Sequence, residues 1–467
     1  MKQFRDALDH IKGLRYLFEE MDFSSSIGRL TLLESEWMSD IAAINRELDE
    51  VAKYIDTLSH TKGMSLVERQ LEEVVNIRGS IEGLRQIGAV CSDVDLFEIK
   101  KLALIDEKIR TIEEEYKYQL TPRPALSGVL TVLDPKEERL PSFYLDDDFD
   151  PKLRELRQSI ERTTEDAELT NLNKELTSLE DQVRRRLSSA LSPYADDLDR
   201  VLAALSRDTV LIAKARWAIK ARACRPVPTN SGTNVIEEMI HPEVARQLSD
   251  RGGEYQPVSI RFDDEPTLIS GANMGGKSVL LHTVGLTQAL MQFGMYVPAK
   301  SATLTVVDEI LYSAGDGEDM LLGLSSFGAE MLRLNQIIKA AKEGQSLLAV
   351  IDEPARTTNP EEGYALVSGL VKLLERYRVK ALITTHYSGI VSQGKRWRVK
   401  GFTGGEQINN CDGIKVSDLG QLMDYRLVPD THDSVPREAF RMARLLGVDT
   451  EFLDLSNQSF RSIRYEK

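Results

Sequence analysis

Between Leu153 and Leu187 the apolar residues fall at Leu153, Leu156, Ile160, Leu172, Leu176, Leu179, Val183 and Leu187. Steps of three and four gather them into one stripe, which predicts a long helix or an antiparallel coiled coil. The helical reading extends over most of Met1 to about Arg225, where charged residues recur on every turn and proline and glycine are few. One stretch interrupts it. LTPRPALSGVLTVLDPKEERLPSFYLDDDFDP, from Leu120 to Pro151, holds prolines, a β-rich patch and an acidic cluster at Asp146, Asp147, Asp148 and Asp150, and reads as a connector. RPVPTNSGTN, near Arg225, reads as a linker. Beyond it, from about Val235 to Gly401, the pattern changes. PTLIS, ATLTVVDEI, SLLAVIDE and KALITTH read as strands, separated by helices from Lys277, from Ala329 to Ala341 and from Glu361. Continuously apolar strands alternating with helices predict a mainly parallel sheet buried on both faces. After about Ser417 the helical pattern returns, in REAFRMARLLGVDTEFLDLS. The expected organisation is a helical domain over residues 1–225 with an arm at about 152–190, an α/β domain over 226–420 and a helical segment over 421–467.

Composition narrows the class. The 467 residues, 42% hydrophobic and 28% charged, suit a globular protein of several domains. The first residues, MKQFRDALDHIKGLR, hold no apolar core of an export signal, and no uncharged apolar run approaches the ~18 residues of a membrane span. Cys91, Cys224 and Cys411 lie far apart, which supports neither a disulfide framework nor a zinc site. A cytoplasmic protein with no membrane contact is expected. The formal charge of −15 argues against a surface that is basic overall, the usual footprint of a duplex-DNA binder, and leaves room for a local basic stripe.

The chemistry concentrates in the second half. Gly271, Ala272, Asn273, Met274, Gly275, Gly276, Lys277 and Ser278 match GxxxxGK[ST] after a strand and at the start of a helix. Such a loop turns backbone N–H groups and a positive helix end toward one point, which suits an anion. Glycines let the main chain approach phosphates, Lys277 reaches the β- and γ-phosphates, and the Ser278 hydroxyl can bind Mg²⁺. LLAVIDE then brings Asp352 and Glu353 to the carboxyl end of a strand beside that loop. Asp352 is expected to hold Mg²⁺ through water, and Glu353 to orient or deprotonate the attacking water. His386 ends the next strand, where it can approach a γ-phosphate. Asp308 and Glu309, in VDEILYS, lack a long preceding apolar run and are assigned to a different strand end. Tyr255, an aromatic residue upstream of the P-loop strand, is a candidate for stacking on the base.

The second half resembles the ATPase domain of the MutS family. GANMGGKS is similar to that family's GPNMGGKS with Ala272 in place of proline, and SSFGAEM (Ser325 to Met331) to its STFMVEM signature. MYVPA (Met295 to Ala299), VIDE, TNPEEG (Thr358 to Gly363) and TTHY complete the order, and SVLLHTVGL with TNPEEG is nearest to the Smr-bearing paralogue. HPEV (His241 to Val244) and VLIAKARWA (Val210 to Ala218) resemble segments at the junction of levers and ATPase. The resemblance implies an α/β P-loop NTPase of the ABC/MutS type with a mainly parallel sheet, preceded by an all-α lever and coiled-coil domain. It implies ATP and Mg²⁺ as cofactors, and a homodimer in which Ser325 of one subunit reaches the γ-phosphate bound by the other. It further implies that Asn273 contacts the nucleotide or resets the sites, and that the tail from about Leu427 to Leu455 dimerises. DEPARTT departs from the family's DE[IL]GxGT at Pro354, Ala355 and Arg356, which puts coupling between paired sites in question. The mismatch-recognition, connector and Smr domains are expected to be absent. Phe18, Glu19 and Glu20 form the Phe-x-Glu pattern used for base wedging, but within GLRYLFEEMDF they read as part of an amphipathic helix.

A nucleotide site does not by itself name a client. The resemblance implies an ATPase whose helical arms clamp DNA, branched or otherwise free of a mismatch, in repair or recombination. Arg184, Arg185 and Arg186, placed near an arm tip, are the candidate contacts. The rival expectation is a protein-remodelling ATPase, similar to the compact MutS-like reactivating partners of a cobalamin-dependent lysine aminomutase.

Overall fold

Leu347 to Ile351, LLAVI, has no polar position to turn toward water, and it forms a strand buried at every residue. It lies within a computed structural model that describes residues 2–60, 63–86, 88, 90–271, 276–313, 326–402, 422–430 and 439–465. The chain divides into two units. One comprises Met1–Met21, Ser35–Val51 and Trp217–Lys467, the other Asp22–Glu34 and Ala52–Arg216. Two N-terminal pieces are thus grouped with the residues that carry the strands.

In chain order the described strands are β1 (Val227–Thr229), β2 (Asn234–Met239), β3 (Val258–Phe262), β4 (Thr267–Ser270), β5 (Ser301–Thr305), β6 (Glu309–Ser313), β7 (Leu347–Ile351), β8 (Lys380–Thr384), β9 (Arg396–Phe402) and β10 (Met423–Pro429). They make a six-stranded sheet in the order β10-β9-β4-β8-β7-β6 and a four-stranded sheet in the order β1-β5-β2-β3. The larger sheet is parallel from β9 through β4, β8 and β7 to β6, with β10 antiparallel at its edge. Leu347, Ala349 and Ile351 pack with Ala381 and Ile383 against Leu334 and Ile337 of the helix Ser326–Lys342 and Val367, Val371 and Leu374 of the helix Pro360–Arg376. Side chains alternate along a strand, so Leu348 and Val350 face the other way, toward the helix Lys277–Gln292, which touches β7 and β8. That helix is buried along nearly its whole length. A sheet covered on both faces needs strands as apolar as these.

Two expectations are corrected in this unit. ATLTVVDEI does not make one strand. β5 belongs to the smaller sheet and β6 to the larger, because the chain crosses between sheets at Val306–Asp308. The stretch after Ser417 is not helical throughout either: Met423–Pro429 pairs with β9, and helices follow at Ala439–Leu445 and Thr450–Tyr465. The N-terminal pieces are tied in by aromatic packing. Phe293 meets Phe4 at 4.8 Å and Trp37 at 5.3 Å between ring centroids, and Trp37 Nε1 donates to Val307 O. Phe18 packs on Phe4 and is 4% exposed, so it is a core residue and not a wedge.

The described residues of the second unit form helices and turns, with no strand among them. The expected β-rich patch is instead the helix Ser127–Leu133, burying Val129, Leu130 and Leu133. Short apolar runs fit either period, and packing decides between them. The expected arm consists of two helices, Pro151–Arg162 and Asp166–Leu191, packed together and linked by Arg157 to Glu180 at 3.1 Å. Arg184, Arg185 and Arg186 lie near the end of the second helix, far from the turn at residues 163–165. Arg184 pairs with Asp93 and Asp181, and Arg186 with Asp150. Among the described helices none is long and apolar enough to cross a membrane.

Buried charge in this unit is compensated locally. Arg123, 2% exposed, bridges Asp106 and Glu113 at 2.5 and 2.6 Å. Asp208, fully buried, accepts from Tyr54 Oη at 2.6 Å and from Thr121 N at 3.0 Å, pinning the proline-rich connector to the helix Ala195–Lys220. Burial outweighs those hydrogen bonds and pushes its carboxyl up to about 6. The folded value lies above the ~3.9 of an unfolded aspartate, so this group favours folding fully below about pH 4. The contribution is lost as pH rises through about 6. We expect Asp208→Asn, which keeps an acceptor for both donors, to remove this component. Thermal melting of the two proteins at steps from about pH 4 to 7 tests it; an unchanged pH slope would refute the assignment.

Candidate functional site

β4 ends at Ser270, and the chain turns through Gly271 with φ +136° before Gly276, φ +69°, caps the helix Lys277–Gln292. Both angles disfavour a side chain. Space does too. A Cβ on Gly271 would lie 3.0 Å from Val399 Cβ, and one on Gly276 would lie 3.1 Å from the Tyr425 ring. Ala272, Asn273, Met274 and Gly275 lie outside the described residues, as does Ser325.

Lys277 opens the helix with its ammonium inside the protein. Its side chain is 3% exposed, Nζ donates to Gly271 O at 2.8 Å, and it pairs with Glu353 Oε1 at 3.1 Å. Ser278 Oγ donates to Asp352 Oδ2 at 2.5 Å. The other Asp352 oxygen accepts from Thr384 Oγ1 at 2.5 Å, and the same hydroxyl oxygen accepts from Glu353 N at 2.8 Å. Parallel pairing of β4 and β7 with β8 brings these strand ends together. Gly271, Lys277, Ser278, Asp352 and Glu353 are thus gathered at the carboxyl end of the sheet.

The chain after β7 is held in an uncommon conformation. Glu353 has φ +44° and Ala355 φ +59°, in the left-handed region that costs a non-glycine residue roughly 1–3 kcal/mol. Hydrogen bonds lock it: Ala355 N donates to Glu330 Oε1 at 2.8 Å and Tyr387 Oη donates to Ala355 O at 3.0 Å. Tyr387 fits only because Gly363 has no side chain, since a Cβ there would come within 2.0 Å of its hydroxyl. Arg356 Nη1 approaches Glu353 Oε2 at 3.6 Å.

His386 follows β8 and stacks on Tyr387, with centroids 4.2 Å apart. Burial lowers its pKa, Lys277 and Arg356 lower it further, and Glu353 opposes them. The ring is therefore within electrostatic reach of the same group of charges, and it is neutral at neutral pH. Asp308 and Glu309 lie apart. Glu309 begins β6, in register with Leu347 at the amino end of β7, and Asp308, just before that strand, accepts from Ser346 N.

Sequence reasoning missed Thr384, Glu330 and Tyr387, which support the loop through contacts distant in the chain. It also missed Tyr425. A cavity of about 210 Å³ beside Gly276 is lined by Tyr255, Val279, Thr283, Val399 and Tyr425. Only Tyr255 carried a signal, its position upstream of β4. A buried ammonium, a hydroxyl and two carboxylates at a helix start, with an apolar hollow alongside, suit a polyphosphate, a hard divalent cation and a flat ring.

Residues 267–402 match the family model of MutS domain V. The chain is similar to an endonuclease MutS2 of Caldicellulosiruptor saccharolyticus, 27% identical over 71% of this chain and 43% of that protein. It is 23% identical to a DNA mismatch repair protein MutS of Methanosarcina mazei over 99% of this chain and 54% of that protein. An endonuclease MutS2 of Pediococcus pentosaceus is 30% identical over 59% of this chain and 33% of its own length. The chain thus spans about half, or less, of the curated relatives it matches. Strands β4 to β9, the turn after β4 and the carboxylates after β7 fall inside the matched region, so the similarity to MutS proteins is concentrated where these side chains converge.

Proposed function

We propose that this protein is a MutS-like ATPase that couples ATP binding and hydrolysis to movement of its helical arms, clamping DNA during repair or recombination. The observation that carries the reading is the convergence of the Lys277–Glu353 pair and the Ser278–Asp352 hydrogen bond at the sheet's carboxyl end. Lys277 binds the β- and γ-phosphates, with the amides of residues 271–278 around them. Mg²⁺, held by Ser278 and through water by Asp352, would neutralise phosphate charge. Glu353 orients a water and takes its proton as the water oxygen bonds to the γ-phosphorus and the bond to the β-phosphate oxygen breaks, leaving ADP and phosphate. His386, neutral and near Glu353, reports on the γ-phosphate. The 210 Å³ cavity receives the base, with Tyr255 as a stacking wall.

The same reading takes residues 1–225 as the lever region, 226–420 as the ATPase and 421–467 as a dimerising segment. Asn273 then contacts the nucleotide, and Ser325 completes the site of a second copy. The names of the relatives, mismatch repair protein and endonuclease, support a DNA client. A second reading has its own support. Arg184 and Arg186 are engaged by acids of the same unit and the net charge is −15, which suits a protein client remodelled by nucleotide turnover.

Lys277→Ala is expected to abolish ATP binding by calorimetry. Glu353→Gln is expected to keep binding but to slow steady-state hydrolysis by ~10²–10⁴-fold, and turnover at the normal rate would remove Glu353 from the catalytic role. Titration against duplex, single-stranded and branched DNA at several salt concentrations separates the clients. Neutralising Z phosphates gives a log–log slope of about −0.9Z on duplex. No binding at low salt would favour the protein client.

A further inference from the structure

Gln256 spends both ends of its amide on β10. Nε2 donates to Asp424 Oδ1 at 3.2 Å, and Oε1 accepts from the backbone N–H of Tyr425 at 2.8 Å. Asp424, 4% exposed, is itself fixed by Arg426 at 2.6 Å and Lys400 at 2.8 Å. The pairing matters because each partner adjoins an aromatic residue. Tyr255 precedes Gln256 and Tyr425 follows Asp424, and both rings line the cavity beside Gly276. One side-chain amide therefore sets the spacing between a loop residue and an edge-strand residue that are far apart in the chain.

The polar groups of the lining are mostly consumed within the protein. Thr283 Oγ1 donates to Val279 O at 2.6 Å and also engages the Tyr255 hydroxyl, which the His241 backbone contacts too. The amide of Gln256 is committed on both atoms. Val258, Val279, Leu280 and Val399 supply aliphatic surface. A pocket rejects an analogue strongly when its own buried donors and acceptors are left unpaired, and only weakly when it offers shape and stacking. Among the described residues this lining is of the second kind apart from Glu254, which is exposed to solvent.

We propose that Gln256 and Asp424 form a clamp that holds Tyr255 and Tyr425 as aromatic walls of a purine-stacking pocket, and that this pocket accepts adenine and guanine nucleotides alike. The proposal rests on the nucleotide-site reading above and adds a positioning residue, Gln256, and a base preference. Stacking on an aromatic face tolerates any base, because every base has a π-face. The phosphates are then recognised by the P-loop and the base by fit.

The test is calorimetric binding of ATP, GTP and inorganic tripolyphosphate to the full chain, with steady-state kinetics on ATP. For the wild-type protein, dissociation constants for ATP and GTP within about 30-fold of each other are expected, and a larger ratio overturns the base tolerance. Gln256→Leu is expected to weaken ATP and GTP together by about 10-fold, raising KM and leaving kcat within about two-fold, with tripolyphosphate affinity unchanged. A general loss of folding would lower all three ligands in step. Tyr425→Ala should follow Gln256→Leu, and Tyr425→Phe, which keeps the ring, should lie much nearer the wild type. Unchanged ATP affinity in Gln256→Leu and Tyr425→Ala overturns the clamp. Equal wild-type affinity for ATP and tripolyphosphate overturns the base pocket while leaving the nucleotide site standing. Failure of the wild type to bind either one removes the nucleotide site itself.

Discussion

The pairing of Lys277 with Glu353 is the interaction on which the site depends. An ammonium 3% exposed, facing a carboxylate 12% exposed, has lost most of its water and must be compensated within the protein. The compensation comes from two directions, Gly271 O on the P-loop strand and Glu353 after β7. Removing one partner of such a pair typically costs about 3–5 kcal/mol, because the survivor is stranded. The pair therefore fastens the start of the helix Lys277–Gln292 to the end of β7. In the proposed reading, a phosphate replaces Glu353 as the anion beside Lys277.

Around that pair the structure accepts local strain and fixes it with long-range contacts. Two residues after β7 have positive φ, and one of them is Ala355, in the segment that departs from the family's glycine-containing pattern. Alanine in this conformation lacks glycine's freedom, so the loop persists only because its neighbours dictate it. Glu330 and Tyr387 hold Ala355 from either side of its peptide, and Thr384 joins Asp352 to Glu353. The departure in sequence thus has a structural counterpart, a loop held by side chains in place of glycine flexibility.

A second set of buried amides joins the two sheets through the same helix. Asn234 Oδ1 accepts from Thr305 N at 2.7 Å, Gln288 Nε2 donates to Thr305 O at 3.0 Å, and Gln292 exchanges hydrogen bonds with Val307 at both its backbone N–H and its carbonyl. Buried polar groups that are fully paired specify one arrangement, since any shift would leave donors unmatched. This is why the chain can leave β5 in one sheet and enter β6 in the other within a few residues. The apolar content of ATLTVVDEI gives no hint of the crossing.

What the sequence determined by itself was local. Glycine spacing ending in Lys277 and Ser278 announces the P-loop, five apolar residues before Asp352 announce a buried strand, and steps of three and four mark the helices of the second unit. Each follows from backbone freedom or periodic burial within a few residues of chain. The tertiary structure alone decided which segments became neighbours: Phe4 and Trp37 against Phe293, β10 beside β9, Gln256 on Asp424, and Arg184 on Asp93 in place of an exposed tip. Those pairings join residues remote in the chain, and their energy comes from burial and charge compensation that exist only once the partners meet. No local pattern encodes a partner, so a short-range reading finds the glycine-rich loop but not the Gln256–Asp424 hydrogen bond.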